Sequence, residues 1–240
     1  MQQDGETMHD AGFDPPTAIE ALLFDLDGTL VHTDPLHLVA MRDLLKSEGV
    51  AIDEETFVTR VSGQPNETVG RFLFPERTAA EHRDFIARKE ARFRELSGQL
   101  TPLAGVVAFI DRARADGLRI ALVTNAPRSN VAHMLGTLGI ADRFEIVIYG
   151  DEMERAKPDP LPYRLALEAF GLRPNQAIAF EDSLPGLAAA KGAGLFCVGV
   201  ATSRSPDELR AAGADLAVAD FEDAQILAFH DVRDWDRAIA

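Results

Sequence analysis

The chain has 240 residues, of which 46% are hydrophobic, and can therefore build one large domain or a core with a smaller second module. Acidic residues (39) outnumber basic ones (24), and the net charge of −15 argues against bulk binding to nucleic acid or an anionic membrane. No apolar stretch approaches the roughly 20 residues of a membrane span, and the N-terminus has no signal-peptide pattern. The single cysteine, Cys197, cannot form an internal disulfide, so we predict a reducing, cytoplasmic location.

The first apolar segment is followed by two closely spaced acids. Residues 1–17 are polar and contain a proline pair, which predicts a disordered leader. Residues 18–24 predict a buried strand, and Asp25 and Asp27 follow it with both carboxylates on the same side of the chain. Gly28 then breaks the strand. A divalent cation would compensate for the desolvation of two such acids, although a solvated Asp–Gly turn is the simpler alternative.

A long segment after this motif shows no strand alternation and predicts a helical insert. Asp34 predicts the N-cap of its first helix, because a proline follows at the first helical position. The segment 79–96 is rich in Arg, Glu and Ala, which is typical of a largely exposed helix. We therefore predict a small helical domain, residues 35–100, inserted into a core formed by residues 18–34 and 101–240.

The rest of the chain alternates apolar strands with helices. The predicted strands are residues 118–123, 144–149, 177–180, 195–200 and 216–218. Such alternation implies a parallel sheet with helices on both faces, which is an α/β, Rossmann-like doubly wound fold. The helical insert then forms a cap beside this core.

Polar residues follow the predicted strands at their carboxyl ends. Thr124 and Asn125 end the second strand, Glu181 and Asp182 end the fourth, and Lys157 lies in the loop after the third. A parallel sheet brings these ends to one edge, next to the acids of the first strand. Carboxylates suit Mg²⁺, and a lysine with a hydroxyl suits the oxygens of a phosphoryl group. Taken singly, each of these residues is explained equally well by helix capping or by a solvated loop.

Four stretches carry a family resemblance: Phe-Asp-Leu-Asp-Gly-Thr-Leu (24–30), Val-Thr-Asn (123–125), Lys-Pro-Asp-Pro (157–160) and Glu-Asp-Ser-Leu-Pro-Gly (181–186). With these motifs in this order, the chain resembles the haloacid dehalogenase-like phosphohydrolases over about residues 18–220. It looks closest to the branch of phosphoglycolate phosphatases, small sugar phosphatases and β-phosphoglucomutases. The resemblance implies a Rossmann-like core with an α-helical cap at the position of the insert.

The resemblance also implies catalytic roles for five residues. Asp25 is the nucleophile that becomes an aspartyl phosphate, and Asp27 is the general acid and then the general base. Thr124 and Asn125 hold the phosphoryl oxygens, and Lys157 neutralises charge. This division of labour is chemically sensible, because phosphoryl transfer needs mainly positioning and charge stabilisation.

The cofactor implied by the resemblance is Mg²⁺. Its ligands are Asp25, the backbone carbonyl of Asp27, and Asp182, with Glu181 close by. A metal at this place lets an anionic carboxylate approach an anionic phosphate, and the covalent intermediate divides one difficult step into two easier ones.

Three residues in the insert bear on the substrate. His37 matches a histidine that is often found in the first cap helix of this branch, and Lys89 matches a cap lysine that can face the site. From the residues alone, both are also explained as ordinary helix residues. Asn66 stands where the mutases of the branch tend to have a basic residue, which favours a phosphatase. At His32 the family often has an acid, and this difference bears on how the cap closes and not on the substrate.

The resemblance therefore implies a Mg²⁺-dependent phosphatase for small phosphorylated metabolites of the sugar phosphate or phosphoglycolate type, active as a monomer or weak homodimer. A sugar phosphomutase similar to β-phosphoglucomutase is the alternative. A dehalogenase shares the nucleophilic aspartate but needs no metal, and a non-catalytic binding module would have lost one of the acids. The substrate itself is not determined by the sequence.

Overall fold

A computed structural model of the chain describes residues 19–227. The leader predicted for residues 1–17, residue 18 of the predicted first strand and residues 228–240 of the predicted core lie outside the described residues. None of the described helices is long and apolar enough to cross a bilayer.

Six strands of the described chain form one sheet. They are β1 (Ala21–Phe24), β2 (Arg119–Thr124), β3 (Ile146–Tyr149), β4 (Ala177–Glu181), β5 (Phe196–Val200) and β6 (Leu216–Val218). Their order is β3-β2-β1-β4-β5-β6, and every neighbouring pair is parallel. This confirms the predicted Rossmann-like α/β fold. The chain order reverses between β1 and β4, so ligands are expected at the carboxyl ends of these two strands.

Helices lie between the strands as the sequence predicts. Four of them are in the insert: α1 (Asp34–Ser47), α2 (Glu54–Arg60), α3 (Asn66–Leu73) and α4 (Ala79–Leu96). The others belong to the core: α5 (Val106–Ala115), α6 (Arg128–Leu138), α7 (Leu161–Phe170), α8 (Leu184–Gly192), α9 (Pro206–Ala211) and α10 (Ala224–Leu227). Observed and predicted strand boundaries differ by up to three residues, because strand ends are set by pairing.

The sheet is buried on both faces, which explains why its strands are continuously apolar and not alternating. On β1, Leu22 and Phe24 join one hydrophobic cluster, whereas Ala21 and Leu23 join the other. The rings of Phe24 and Phe180 stack with their centroids 4.7 Å apart. Full burial of a leucine or phenylalanine stabilises the fold by about 1.5–3 kcal/mol. The ends of β1 and β4 are therefore held firmly side by side.

The helices of the insert pack around a hydrophobic cluster of their own. It includes Met41 of α1, Phe57 of α2 and Phe85 of α4. Helix α4 starts with a capping box in which the Thr78 and Glu81 side chains each bind the other's backbone N–H. The helical content predicted for residues 35–100 is confirmed, and the limits of a separate domain stay a prediction.

The predicted N-cap of α1 is wrong. Thr33 occupies that position, and Asp34 is the first helical residue. The Thr33 hydroxyl does not cap the helix, because it donates to Asp27 Oδ1 at 2.5 Å. The Asp34 carboxylate accepts bonds from Ser62 at 2.9 Å and Ser203 at 2.7 Å. Long-range contacts have replaced the local capping bond that the sequence pattern predicts.

Candidate active site

The turn after β1 brings the backbone unusually close to a carboxylate. Gly28 has φ of 81°, a conformation that favours glycine, and its N–H donates to the carbonyl of Val31 at 2.8 Å. A Cβ atom at Gly28 would overlap the carboxylate of Asp182. The glycine of the Asp-Leu-Asp-Gly motif is therefore required by space as well as by backbone conformation.

Lys157 lies at the centre of the buried charges. Its Nζ donates to Asp25 Oδ1 at 2.7 Å, to Glu181 Oε1 at 2.5 Å and to the carbonyl of Val123 at 2.6 Å, so all three of its protons are used. Burial lowers the pKa of Lys157, but the two carboxylates outweigh burial and hold that pKa above its ordinary value. The lysine is therefore a permanent cation beside the nucleophile implied by the resemblance.

Asn125 positions this lysine. Its Oδ1 accepts from the backbone N–H of Lys157 at 3.1 Å, and its Nδ2 donates to the carbonyls of Lys157 at 3.1 Å and Gly63 at 3.2 Å. These bonds use the carbonyl oxygen and both protons of the side-chain amide. The Asn125 side chain thus fixes the backbone at Lys157 and contacts the cap. The neighbouring Thr124 hydroxyl accepts from the N–H of Ala126 at 3.0 Å, so its own proton remains available.

Three carboxylates form a group that could hold a metal ion. Asp25, Glu181 and Asp182 each place one oxygen within 4.8 Å of the others. Among the described residues, buried Asp182 Oδ1 and Glu181 Oε2 have no hydrogen-bond partner. Burial raises the pKa of Asp25 to about 8, although the nearby Lys157 lowers it. Burial and the charge of Asp25 together raise the pKa of Asp182. Clustered, unsatisfied oxygen ligands fit a hard divalent cation such as Mg²⁺.

Glu181 differs from the other two acids. Its Oε1 accepts from both Lys157 and the hydroxyl of Tyr163, each at 2.5 Å. Its Oε2 packs so tightly against Gly186, in the first turn of α8, that a Cβ atom there would overlap it. Glu181 is fully buried beneath the site and supports Lys157, whereas Asp25 and Asp182 line the cavity.

Asp27 points away from the metal group and towards the cap. Its Oδ1 accepts from Thr33 at 2.5 Å and lies 3.3 Å from His37 Nε2. Lys89 Nζ lies 3.1 Å from His37 Nδ1 and can only donate, so Nε2 carries the imidazole proton and donates to Asp27. Burial raises the pKa of Asp27, but the bonds from His37 and Thr33 outweigh it, and the pKa is below its ordinary value.

The same contacts continue from the cap into the core. Lys89 donates to Glu90 Oε1 at 2.7 Å, and Asn130 of α6 donates to Glu90 Oε2 at 2.6 Å. Arg94 donates to Asn130 Oδ1, also at 2.6 Å. The His37 ring stacks on Phe93 at 3.8 Å between centroids. Cap placement is therefore linked to Asp27 by a continuous chain of polar contacts.

The cavity between cap and sheet is about 90 Å³. Sites for small molecules are typically about 300–1,000 Å³, so the cap leaves only a small space above the strand ends in this arrangement. Nearly every residue assigned to the site from the sequence lines this cavity: Asp25, Asp27, His37, Asn66, Lys89, Thr124, Asn125, Lys157 and Asp182. Glu181 lies directly beneath it.

Four contacting residues were missed by sequence reasoning. Thr33 looks like a helix start, Tyr163 belongs to the apolar face of α7, and Glu90 and Asn130 look like solvent-facing helix residues. Only Thr33 had a usable signal, because it is six residues from Asp27 and directly precedes α1, the first helix of the insert. The other three meet the site through contacts between residues at least 18 positions apart.

Comparison with known proteins identifies the family. The family model described as "Haloacid dehalogenase-like hydrolase" matches residues 22–200. Protein CbbY of Rhodobacter capsulatus is 36% identical over 191 residues, which covers 75% of this chain and 84% of that protein. A phosphoglycolate phosphatase of Thiobacillus denitrificans is 33% identical over 192 residues, covering 76% and 84%.

A solved structure agrees with these relatives. The crystal structure of CbbY (mutant D10N) from Rhodobacter sphaeroides in complex with xylulose-(1,5)bisphosphate has a TM-score of 0.74 and 32% identity, covering 85% of this chain and 95% of that one. The predicted family and the predicted enzyme class, a phosphatase, are confirmed. The chain belongs to the haloacid dehalogenase-like hydrolases, in their phosphatase branch.

Proposed function

We propose that this protein is a Mg²⁺-dependent phosphatase that hydrolyses small phosphomonoesters through an aspartyl phosphate on Asp25. One observation carries the proposal: Asp25 lies at the end of β1 between Lys157, 2.7 Å away, and the otherwise unsatisfied carboxylate of Asp182. Asp27 is on the cap side of the same cavity. A nucleophile, a fixed cation, free oxygen ligands and a second acid thus meet at one strand edge.

In the first step Asp25 attacks phosphorus and the ester oxygen leaves. Asp25 and Asp182 would hold Mg²⁺ together with the backbone carbonyl of Asp27, and the bound metal supplies charge neutralisation for the transferring phosphoryl group. Lys157 keeps its proton and neutralises the carboxylates and the phosphoryl oxygens. The Thr124 hydroxyl donates to a phosphoryl oxygen.

Asp27 handles the protons of both steps. It gives a proton to the departing alcohol and later takes one from the water that attacks the aspartyl phosphate. His37 and Thr33 orient the Asp27 carboxylate and hold its pKa below its ordinary value. Asp27 is therefore ionised, as the base of the second step must be, and it takes up a proton from solvent before it acts as the acid of the first step. The cap narrows the cavity over the reacting groups and opens for product release.

Phosphate release from a panel of small phosphorylated metabolites tests the proposal. We expect Mg²⁺-dependent release by the native chain, and loss of at least about 10³-fold in kcat for Asp25→Asn, because the covalent route is removed. Asp215→Asn, at a surface ion pair with Lys191, is the matched control and should keep normal activity. Full phosphate release in excess chelator would overturn the Mg²⁺ requirement. An isomerised sugar phosphate as the product would overturn the proposal in favour of a mutase.

The relatives suggest where the panel should begin. They include phosphoglycolate phosphatases and a phosphorylated carbohydrates phosphatase of Thermotoga maritima. Phosphoglycolate and sugar phosphates are therefore the first compounds to test. The cytoplasmic location and the monomeric or weakly dimeric state stay predictions.

A further inference from the structure

The wall of the cavity opposite the sheet is formed by the loop between α2 and α3. We define it as the cap loop, residues 61–66. Ser62, Gly63, Gln64 and Asn66 of this loop line the cavity, and none of these four side chains is charged. The Gly63 carbonyl accepts from the core residue Asn125 at 3.2 Å, so the loop lies directly over the site. Neutral hydrogen-bonding groups therefore face the leaving group of a bound phosphate ester.

Charges around the cavity are strongly unbalanced. Among the described residues that line it there are five carboxylates and two lysines: Asp25, Asp27, Asp34, Glu90, Asp182, Lys89 and Lys157. Lys157 is already shared by Asp25 and Glu181. Lys89 forms a buried ion pair with Glu90 at 2.7 Å and donates to His37. A bound metal and Lys157 would neutralise the transferring phosphoryl group. Among the described residues that line the cavity, no lysine or arginine without a carboxylate partner then remains for the leaving group.

Nearby arginines are held elsewhere. Arg60 lies over the ring of Phe72, 4.7 Å from its centroid, and Arg71 pairs with Glu67. Arg128 forms two 2.7 Å bonds with Glu152. None of these three arginines lines the cavity.

Two arginines, Arg83 and Arg94, line an adjoining cavity that shares Asn66, Glu90 and Pro127 with the site. Arg94 donates to Asn130 at 2.6 Å. Neither arginine lines the catalytic cavity, whereas the Glu90 carboxylate lines both cavities. A leaving group that reaches the shared wall therefore meets this carboxylate.

We propose that this site selects monophosphates whose leaving group is uncharged and hydroxylated, and discriminates against esters that carry a carboxylate or a second phosphate there. Like charges repel strongly when they are brought together at a desolvated site, whereas neutral amides and a hydroxyl match the hydroxyl groups of a polyol. Asn66 and Glu90 are the specificity-determining residues. The inference rests on the proposed phosphatase function and narrows its substrate class.

Two pairs of substrates test this selectivity. In the first pair, 2-hydroxyethyl phosphate and 2-phosphoglycolate differ only in a hydroxymethyl group against a carboxylate. In the second, fructose 6-phosphate is compared with fructose 1,6-bisphosphate. With Mg²⁺ at saturation, we expect kcat/KM to favour the uncharged member of each pair by about tenfold or more. Equal or reversed preference in both pairs would overturn the inference.

Variants show which residues set the preference. Asn66→Arg adds a cation to the cap loop and should reduce the preference at least about fivefold, while Asn66→Gln, the neutral control, should leave it within about twofold. Glu90→Gln releases Lys89 from its carboxylate and should shift the preference in the same direction as Asn66→Arg. Because both substrates are measured with the same variant, a general loss of folding or turnover cancels in the ratio.

The outcomes separate this inference from the proposed function. If none of the four esters releases phosphate with Mg²⁺, the phosphatase proposal fails for these substrates and the selectivity inference fails with it. If phosphate is released but neither Asn66→Arg nor Glu90→Gln changes the ratio, the phosphatase stands and the assignment of selectivity to these residues is wrong.

Discussion

At the scale of single residues, Lys157 makes the clearest prediction. Its side chain is 3% exposed and its ammonium group balances Asp25 and Glu181, so Lys157→Met leaves two buried acids without their cation. Removal of one partner from a buried ion pair typically costs about 3–5 kcal/mol. We expect the metal-free variant to lose about that much free energy of unfolding, measured by urea denaturation.

A lysine at the surface provides the control for this change. Lys191 pairs with Asp215 at 2.6 Å, but its side chain is 36% exposed. Surface ion pairs contribute about 0–1 kcal/mol, so Lys191→Met should change stability by no more than that. Similar losses of unfolding free energy in the two variants would show that burial does not increase the contribution of the Lys157 charge to stability.

Asp182 tests the metal site without any substrate. Its Oδ1 is buried and has no hydrogen-bond partner among the described residues, and burial raises its pKa. Asp182→Asn should therefore leave the metal-free protein at least as stable as the native chain, because a costly buried acid is removed. In the native chain, Mg²⁺ at 100 times its Kd should add about 2.7 kcal/mol to the free energy of unfolding, and most of this gain should vanish in the variant.

Thermal unfolding with and without Mg²⁺ measures both effects. An unchanged Mg²⁺-dependent shift of Tm in Asp182→Asn would remove this residue from the metal site. A large loss of stability without metal would show instead that the carboxylate has a structural partner.

At the scale of elements, the turn after β1 depends on one glycine. Gly28 has φ of 81° and no room for a Cβ atom beside Asp182, whereas exposed Gly49 has φ of 69° with nothing within 4 Å of the same position. Gly49→Ala should cost about 1–2 kcal/mol from backbone conformation alone. Gly28→Ala should cost more and should also displace Asp182, which abolishes the Mg²⁺-dependent shift of Tm. Equal effects of the two changes would contradict the close approach.

The contact between α4 and α6 should give the cap a pH-dependent stability. Burial raises the pKa of Glu90, but Lys89 and His37 outweigh it, so that pKa is below its ordinary value in the folded protein. A lowered pKa in the folded state stabilises the protein above the ordinary pKa of about 4.3, and this contribution is lost as the pH falls. The difference in unfolding free energy between the native chain and Glu90→Gln should therefore be largest near neutral pH and shrink below about pH 4.

Urea denaturation at pH 7, 5 and 4 measures this difference. Glu145→Gln, which removes a half-exposed partner of Arg119, is a suitable control and should show little pH dependence of its own. A native-to-variant difference that grows as the pH falls would have the wrong sign for a stabilising Glu90 carboxylate.

At the scale of the whole molecule, the sequence predicts the sheet and the residues at its edge, but it does not predict the contacts of the cap. The alternation of strands and helices is local in sequence, and a parallel sheet gathers the ends of β1, β2 and β4, so Asp25, Thr124 and Asp182 were placed together correctly. Cap contacts depend on the packing of one module against another. The 3.1 Å contact between His37 and Lys89 joins residues 52 positions apart, and no local pattern predicts it.

Tertiary contacts give some residues hydrogen-bond partners that the sequence does not predict. Asn125 was assigned to the phosphoryl group by resemblance, but its amide is occupied by backbone groups of Lys157 and Gly63. Asp34 was predicted to cap a helix, but it joins Ser62 of the cap to Ser203 of the core. Residue types and spacing identified the chemistry, whereas the partners of each group required the packed structure.

In the proposed mechanism, Asp25 carries the phosphoryl group and Asp27 moves the protons. Asp27→Asn keeps the shape and the backbone carbonyl but cannot exchange a proton. An alkyl leaving group needs that proton, whereas p-nitrophenolate is a weak base and hardly needs it. General acid or base assistance is typically worth about 10²–10⁴-fold, so with p-nitrophenyl phosphate the first step should survive and the second should stall.

The most direct measurement is rapid-mixing kinetics of Asp27→Asn with p-nitrophenyl phosphate and Mg²⁺, followed by mass spectrometry of the quenched protein. We predict a burst of nitrophenol close to one equivalent per active site and a labile phosphate on Asp25. Asp25→Asn should show neither. A burst-free Asp27→Asn enzyme that turns over this substrate at nearly the native rate, with no label on Asp25, would contradict the mechanism.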